Sequence, residues 1–298
     1  MRPQAVDAAA EIDRTVQGLL RGSKAWGKFP TPIDRVTAFA ELAIERKIDL
    51  GKVAPGFIPR NFEFLSRGLK KVQGLIDFLP RKIYLDHSLK ENRKRFVTLH
   101  EVGHGTLPWQ RALPGGYGDD EFTLSPDVKE QFECEASYFA SAALFQLHRF
   151  DDELIRLPLG FASVRALAQK FGGSVQAAAR RYVVSCPKRC ALLVLNPPNL
   201  FGTYAASTRN CFESPTFLSA FGPLLVPADF GIEFDFVRDI KRNRKLHESG
   251  MTELETTGAG RVAFDYHFFH NTFHSFVFLF PPGEKIASRV KIQIRNES

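Results

Sequence analysis

The sequence predicts an α+β fold of two or three compact units, on three observations. Apolar residues recur at helical spacing through the first half, and two short strand-like runs stand directly before one of those helices. A Gly172-Gly173-Ser174 turn separates two further short helical runs. From Cys190 onward the pattern shifts to short apolar runs rich in phenylalanine, broken by Pro197-Pro198 and Pro281-Pro282-Gly283, which predicts a C-terminal α/β unit. The divisions fall at 1–148, 149–188 and 189–298, and 298 residues suffice to bury a substantial core.

Residues 3–21 and 32–46 read as helices. In the second, Pro32 suits the first turn, and Ile33, Val36, Ala40, Ala43 and Ile44 make an apolar stripe. Residues 50–70, with Gly51, Pro55, Gly56 and Pro59, read as irregular. Residues 72–78 and 82–86 are strand-like, joined by Leu79-Pro80-Arg81. A Ser88-x-x-Glu91 capping box then predicts a helix start, and Phe96, Leu99 and Gly103 predict its buried face. Gly103 costs about 1 kcal/mol against Ala in mid-helix, a cost that a close helix neighbour would explain.

That helix carries His100-Glu101-Val102-Gly103-His104. Four residues of separation set the two histidines about 40° apart around the axis and about 6 Å apart along it. Two imidazoles so placed can grip one metal ion, and Glu101 can reach a water bound to it, the arrangement that zinc-dependent hydrolysis needs. Gly105 and Pro108 predict an early helix end, and residues 108–124 a long loop near the site. Ser125-Pro126-Asp127 opens a helix to about Leu147, with Phe132, Ala136, Phe139, Ala140, Ala143 and Leu144 on its inner face. Glu133 lies beside that face among small residues. Spacing alone leaves it equally a third ligand or a solvated surface acid. Glu135 points elsewhere on the helical wheel and is expected in solvent, with Cys134 turned away from the metal into packed core.

Residues 94–110 (KRFVTLHEVGHGTLPWQ) and 133–140 (ECEASYFA) together resemble the ImmA/IrrE family of metallopeptidases. Its members join an R-x-x-F-T-x-x-H-E-x-x-H helix to a later E-x-x-A-N-x-F-A helix. By matching position, the resemblance implies a zincin-like domain in which His100, His104 and Glu133 hold zinc and Glu101 is the general base. It further implies a narrow substrate, a helix–turn–helix repressor cut to release its genes under stress or for a mobile element. Ser137 stands where the family usually has Asn, and Phe145-Gln146 replaces a common Met-Pro ending; both departures are expected to affect local packing. The resemblance also implies a ligand-sensing domain of the GAF type in the last third.

Residues 164–171 and 175–184 have a helix–turn–helix rhythm, with Arg180 and Arg181 on the second helix. A structural hairpin is the preferred reading over a DNA reader, which the sequence leaves open. Residues 191–195, 231–236, 261–267 and 276–280 read as strands, and 236–247 as a helix ending in the basic run Lys241-Arg242-Asn243-Arg244-Lys245. Such a run is usually a solvated face, with acidic partners or DNA as the alternative. His267, His270 and His274 lack an acid or Cys to complete a metal set, and Cys186 and Cys190 have neither zinc-ribbon nor redox spacing. Net charge is +7, which permits nucleic-acid contact without requiring it. No run reaches the ~20 apolar residues of a membrane span. Glu11, Asp13 and Arg14 stand where a signal peptide needs an apolar centre, and the four cysteines suggest no disulfide frame, so the expectation is a cytoplasmic protein without membrane contact. The competing reading is a non-enzymatic regulator that keeps the zincin fold as a scaffold and binds DNA or protein. Glu101 discriminates, because a scaffold has no need of the base.

Overall fold

The computed structural model describes residues 6–45, 74–77, 81–86, 88–111, 126–198, 204–271 and 273–284. They form two compact units. One comprises Gln4–Phe150 with Ala168–Ser174, the other Asp151–Leu167 with Val175–Ser298. No helix among the described residues is long and apolar enough to cross a membrane.

In the first unit, α1 (Ala9–Gly22) buries Ile12, Val16, Leu19 and Leu20, one face of a helix by their spacing. Helix α2 (Ile33–Phe39) begins after Pro32, which is its N-cap, and stops well short of the expected residue 46. Glu41 adopts a left-handed φ of 57°, and the Arg81 guanidinium donates to the Ala40 and Glu41 carbonyls at the helix end. The stripe continues instead as strand β1 (Ala43–Glu45), parallel to β3 (Lys82–Leu85). Pairing with a distant strand here outweighs local helix periodicity. Strand β2 (Gly74–Asp77) is antiparallel to β3, giving the order β1-β3-β2 with β2 at an edge among the described residues. The expected irregular stretch 50–70 lies outside the described residues.

Helix α3 (Glu91–Thr106) carries the His-Glu-x-x-His segment. The expected Ser88–Glu91 capping box does not form: the N-cap is Lys90, which makes no side-chain cap. Ser88 stands two residues too early, and its backbone N–H donates to Asp86 Oδ1 at 2.8 Å. A one-turn helix α4 (Pro108–Arg111) follows, then α5 (Pro126–Phe145); the expected Ser125 cap and the rest of the 108–124 loop lie outside the described residues. The close neighbour expected at Gly103 is α5. A Cβ there would sit 3.2 Å from the Phe139 ring and 3.3 Å from the Ala136 Cα. Gln146, standing where the family has its Met-Pro ending, is fully buried. It accepts the Gly27 N–H at 2.7 Å and donates to Lys28 O and Thr31 Oγ1 at 2.8 and 3.0 Å, so it ties the α1–α2 connection to the end of α5.

Helix α6 (His148–Leu154) leads to the expected helical pair, α7 (Phe161–Phe171) and α8 (Val175–Ser185), separated at Gly172 with φ 68°. The second unit is built on a six-stranded antiparallel sheet, ordered β6-β5-β4-β9-β8-β7. Its strands are β4 (Ala191–Leu195), β5 (Ala206–Glu213), β6 (Asp229–Phe230), β7 (Leu246–Thr256), β8 (Gly260–His270) and β9 (Ser275–Phe280). Central β4 and β9 are buried throughout. Two expectations fail here. Residues 231–236 are not a strand, because α10 (Asp235–Lys241) begins inside them, and that helix ends six residues before 247 so that Leu246 can open β7. Asn243 turns the chain between them with φ 53°. Helix α9 (Pro215–Phe221) was legible but not expected: Ser214 caps it, accepting the Phe217 N–H at 3.1 Å, with Pro215 at its first position. The core between helices and sheet gathers Phe217, Phe230, Phe236, Phe264 and Phe268 with Leu193 and Leu279.

Candidate metal centre

The contact at Gly103 sets α5 against the histidine-bearing turn of α3, and three donors converge. His100 Nε2 lies 3.1 Å from His104 Nε2 and 3.1 Å from Glu133 Oε2, while His104 Nε2 lies 3.4 Å from Glu133 Oε1. An ion bound tetrahedrally at about 2.0–2.1 Å sets its ligands about 3.3 Å apart. The donor set fits such an ion in spacing and in chemistry: two imidazole nitrogens and a carboxylate, with a fourth position left for a small molecule. Among the described residues these three form the group that could hold a metal.

The electrostatics are those of a tight acid–imidazole cluster. Burial would raise Glu133, yet its hydrogen bonds with His100 and His104 hold it well below the usual carboxylate range. Burial would lower His104, but the hydrogen bond with Glu133 and the charge of Glu101 carry it above the ordinary histidine value. Glu101 is 6% exposed. Burial pushes its carboxyl up, against the pull of His100 and His104 and of a hydrogen bond from the Ile76 backbone on β2. The strand edge and the acid beside the histidines are therefore in direct contact.

Around this cluster the structure places residues that sequence reasoning missed. Glu135 is not solvated: it is 1% exposed and accepts from Trp109 Nε1 at 2.6 Å, Gln110 Nε2 at 2.7 Å and Gln131 Nε2 at 3.0 Å. Gln110 also reaches His104, its Oε1 2.7 Å from Nδ1. The wheel position that aims Glu135 away from the metal aims it at α4, whose place depends on a chain turn after Leu107. Ser137 is more than a packing change, since its Oγ lies 3.4 Å from His100 Nδ1. Cys134, expected in packed core, is partly exposed. His267 Nδ1 accepts the Phe161 N–H, and His270 Nδ1 lies 3.0 Å from Ser275 Oγ. Arg181 Nη2 donates to both carboxylate oxygens of Asp151, at 3.2 and 3.0 Å, and the Arg180 guanidinium lies 5.3 Å over the Phe212 ring. In the basic run, Arg244 pairs with Asp239, and the Lys241 ammonium lies over Tyr204.

Residues 64–182 match the model of the Peptidase M78 family, described as the IrrE N-terminal-like domain. This stretch is similar to the IrrE N-terminal-like domain. It contains α3, α5 and every member of the cluster. A solved structure described as a Mycobacterium tuberculosis transcriptional regulator is similar in fold, with TM-score 0.51 at 10% identity over 93% of this chain and 78% of that one. Such identity speaks for the fold alone. No curated protein matches the chain.

Proposed function

We propose that the IrrE-like domain is a zinc-dependent endopeptidase, with His100, His104 and Glu133 as ligands and Glu101 as general base. The observation that carries this reading is the convergence of three donors at ligand-edge spacing beside a buried carboxylate. Zinc held there would supply Lewis acidity, lowering the proton affinity of a water molecule and polarising a carbonyl. Glu101 takes the proton from the attacking water and delivers it to the leaving nitrogen of the peptide bond. His100 and His104 hold their Nε2 atoms toward Glu133, and α3 keeps both rings on one face. Edge strand β2, bonded to Glu101 through Ile76, offers an extended substrate a backbone to pair with.

The resemblance extends the reading to the substrate, a helix–turn–helix repressor whose cleavage triggers a stress or mobile-element response. It also makes residues 189–298 a GAF-like sensor, which the antiparallel sheet of the second unit supports in class. A DNA-binding scaffold is the weaker alternative, because Arg181 is engaged by Asp151 and Arg180 by Phe212. The test is incubation of purified protein with a candidate repressor, with chelator and after zinc is restored. Cleavage that chelation stops and zinc revives supports the peptidase. A protein that takes up no zinc under titration overturns it.

A further inference from the structure

We propose that Gln110 and Glu135 are positioning residues for His104: a buried carboxylate fixes an amide, and the amide fixes which imidazole nitrogen is free for the metal. This rests on the metallopeptidase reading and deepens it.

The argument runs from the acid inward. A carboxylate only accepts hydrogen bonds, and one buried as deeply as Glu135 needs donors to replace water. Trp109 Nε1, Gln110 Nε2 and Gln131 Nε2 supply three. Gln110 Nε2 also lies 3.3 Å from the Phe132 carbonyl. Exchanging the nitrogen and oxygen of this amide would set an oxygen against two acceptors, so its orientation is determined. Gln110 Oε1 therefore faces His104 Nδ1, at 2.7 Å, and Nδ1 must provide the hydrogen. A neutral imidazole carries one N–H. The lone pair is left on Nε2, the atom 3.1 Å from His100 Nε2 and 3.4 Å from Glu133.

Three separate elements build the relay. Helix α3 brings His104, α5 brings Glu135 and Gln131, and α4 brings Trp109 and Gln110 immediately after the buried Leu107. His100 has less support, its Nδ1 facing Ser137 Oγ at 3.4 Å. His104 is accordingly the ligand set before the metal arrives. Hydrogen bonding of this kind to a ligating histidine raises its basicity and removes the cost of choosing a tautomer on binding.

Two measurements test the relay. The first uses the wild-type chain, metal-free at alkaline pH, and reads the imidazole nitrogen shifts of His104 by NMR. The hydrogen is expected on Nδ1; finding it on Nε2 overturns the proposal without any variant. The second is zinc affinity by competition with a chromophoric chelator. Gln110→Met keeps the side-chain length and removes the acceptor, and is expected to lose 10–100-fold in affinity. Glu135→Gln, which retains an acceptor oxygen, is expected to lose less. An affinity within about threefold of wild type for Gln110→Met removes the relay while leaving the metal centre in place. Wild-type protein that binds no zinc overturns the metal reading itself, and this inference with it.

Discussion

The α3–α5 pair and the C-terminal sheet bury opposite kinds of surface. Around α3, groups that water would normally solvate are inside: Glu101, His104, Gln110 and Glu135 are each 6% exposed or less. In the sheet, β4 and β9 are buried along their whole lengths and phenylalanines fill the space beneath the helices. Among the described residues its buried charged group is Asp239, which takes Tyr266 Oη and His247 Nδ1 on one oxygen and Arg244 on the other. Buried charge costs several kcal/mol unless donors replace water, whereas apolar burial stabilises directly. The first region thus spends on polar order what the second gains in cohesion, and polar order at that density marks a site of chemistry.

The largest expected effect breaks the first region's chemistry without touching its fold. Glu101→Gln keeps the side-chain size but removes the proton acceptor, and should lower turnover 10²–10⁴-fold, or roughly 3–5 kcal/mol of barrier. Zinc content and thermal midpoint should stay near wild type, since Glu101 is no ligand in this reading. Cleavage at the wild-type rate by zinc-loaded Glu101→Gln would remove it as base. The counterpart in the sheet is Phe268→Ala. Phe268 is fully buried, and its loss should destabilise the second unit by about 3–5 kcal/mol. Chelator competition below the melting transition should find zinc affinity unchanged. Zinc loss in that variant would erase the contrast between a chemical and a cohesive region.

Gly103→Val sharpens the contrast from the other side. The added methyls would enter a space where even a Cβ is 3.2 Å from the Phe139 ring and 3.3 Å from the Ala136 backbone. Overpacking of this kind costs about 1–3 kcal/mol. Unlike Phe268→Ala, it should also weaken zinc binding, because the helices carrying His104 and Glu133 must separate. A destabilised variant with full zinc affinity would mean that the ligand spacing does not depend on this contact.

What the sequence made legible follows from how local each signal is. The helical spacing of His100 and His104, the small residues that let α5 approach Gly103, and the continuous apolar runs of β4 and β9 are all contained in short windows. The relay was illegible because Gln110 and Glu135 lie on different helices, 25 residues apart, and a helical wheel sees one helix at a time. The premature end of α2 depends on Arg81, some forty residues away, whose guanidinium takes the helix carbonyls while β1 pairs with β3. Strand β7 lacks an apolar run because one face is polar, with Glu253 and Glu255 flanking buried Leu254, and β5 is interrupted by four consecutive polar residues, Ser207-Thr208-Arg209-Asn210. Ser88 had the right spacing from Glu91 for a cap, but its backbone N–H donates to Asp86 and the helix starts two residues later, at the Lys90 N-cap. Competition from partners nearby in space decided each of these.

The smallest expected effect concerns the second unit's half-buried His267. His267 accepts the Phe161 N–H at Nδ1, 3.3 Å away, and stands edge-on to the Phe280 ring with centroids 5.0 Å apart. An acceptor at Nδ1 must be unprotonated there, so the contact exists only in the neutral form. Burial lowers its pKa from the ordinary 6.5, with Glu248 and Asp265 opposing and His247 adding to the fall. The folded value is therefore below the unfolded one. The contribution to stability is complete above about pH 6.5 and is lost as pH falls toward the lower folded value. His267→Gln keeps an acceptor and cannot take the charge. The wild-type thermal midpoint should accordingly fall relative to that of the variant between about pH 7 and 5. A gap between the two that stays constant across this range would mean His267 is not held neutral by its surroundings, and the sheet would then have no counterpart to the fixed tautomer of His104.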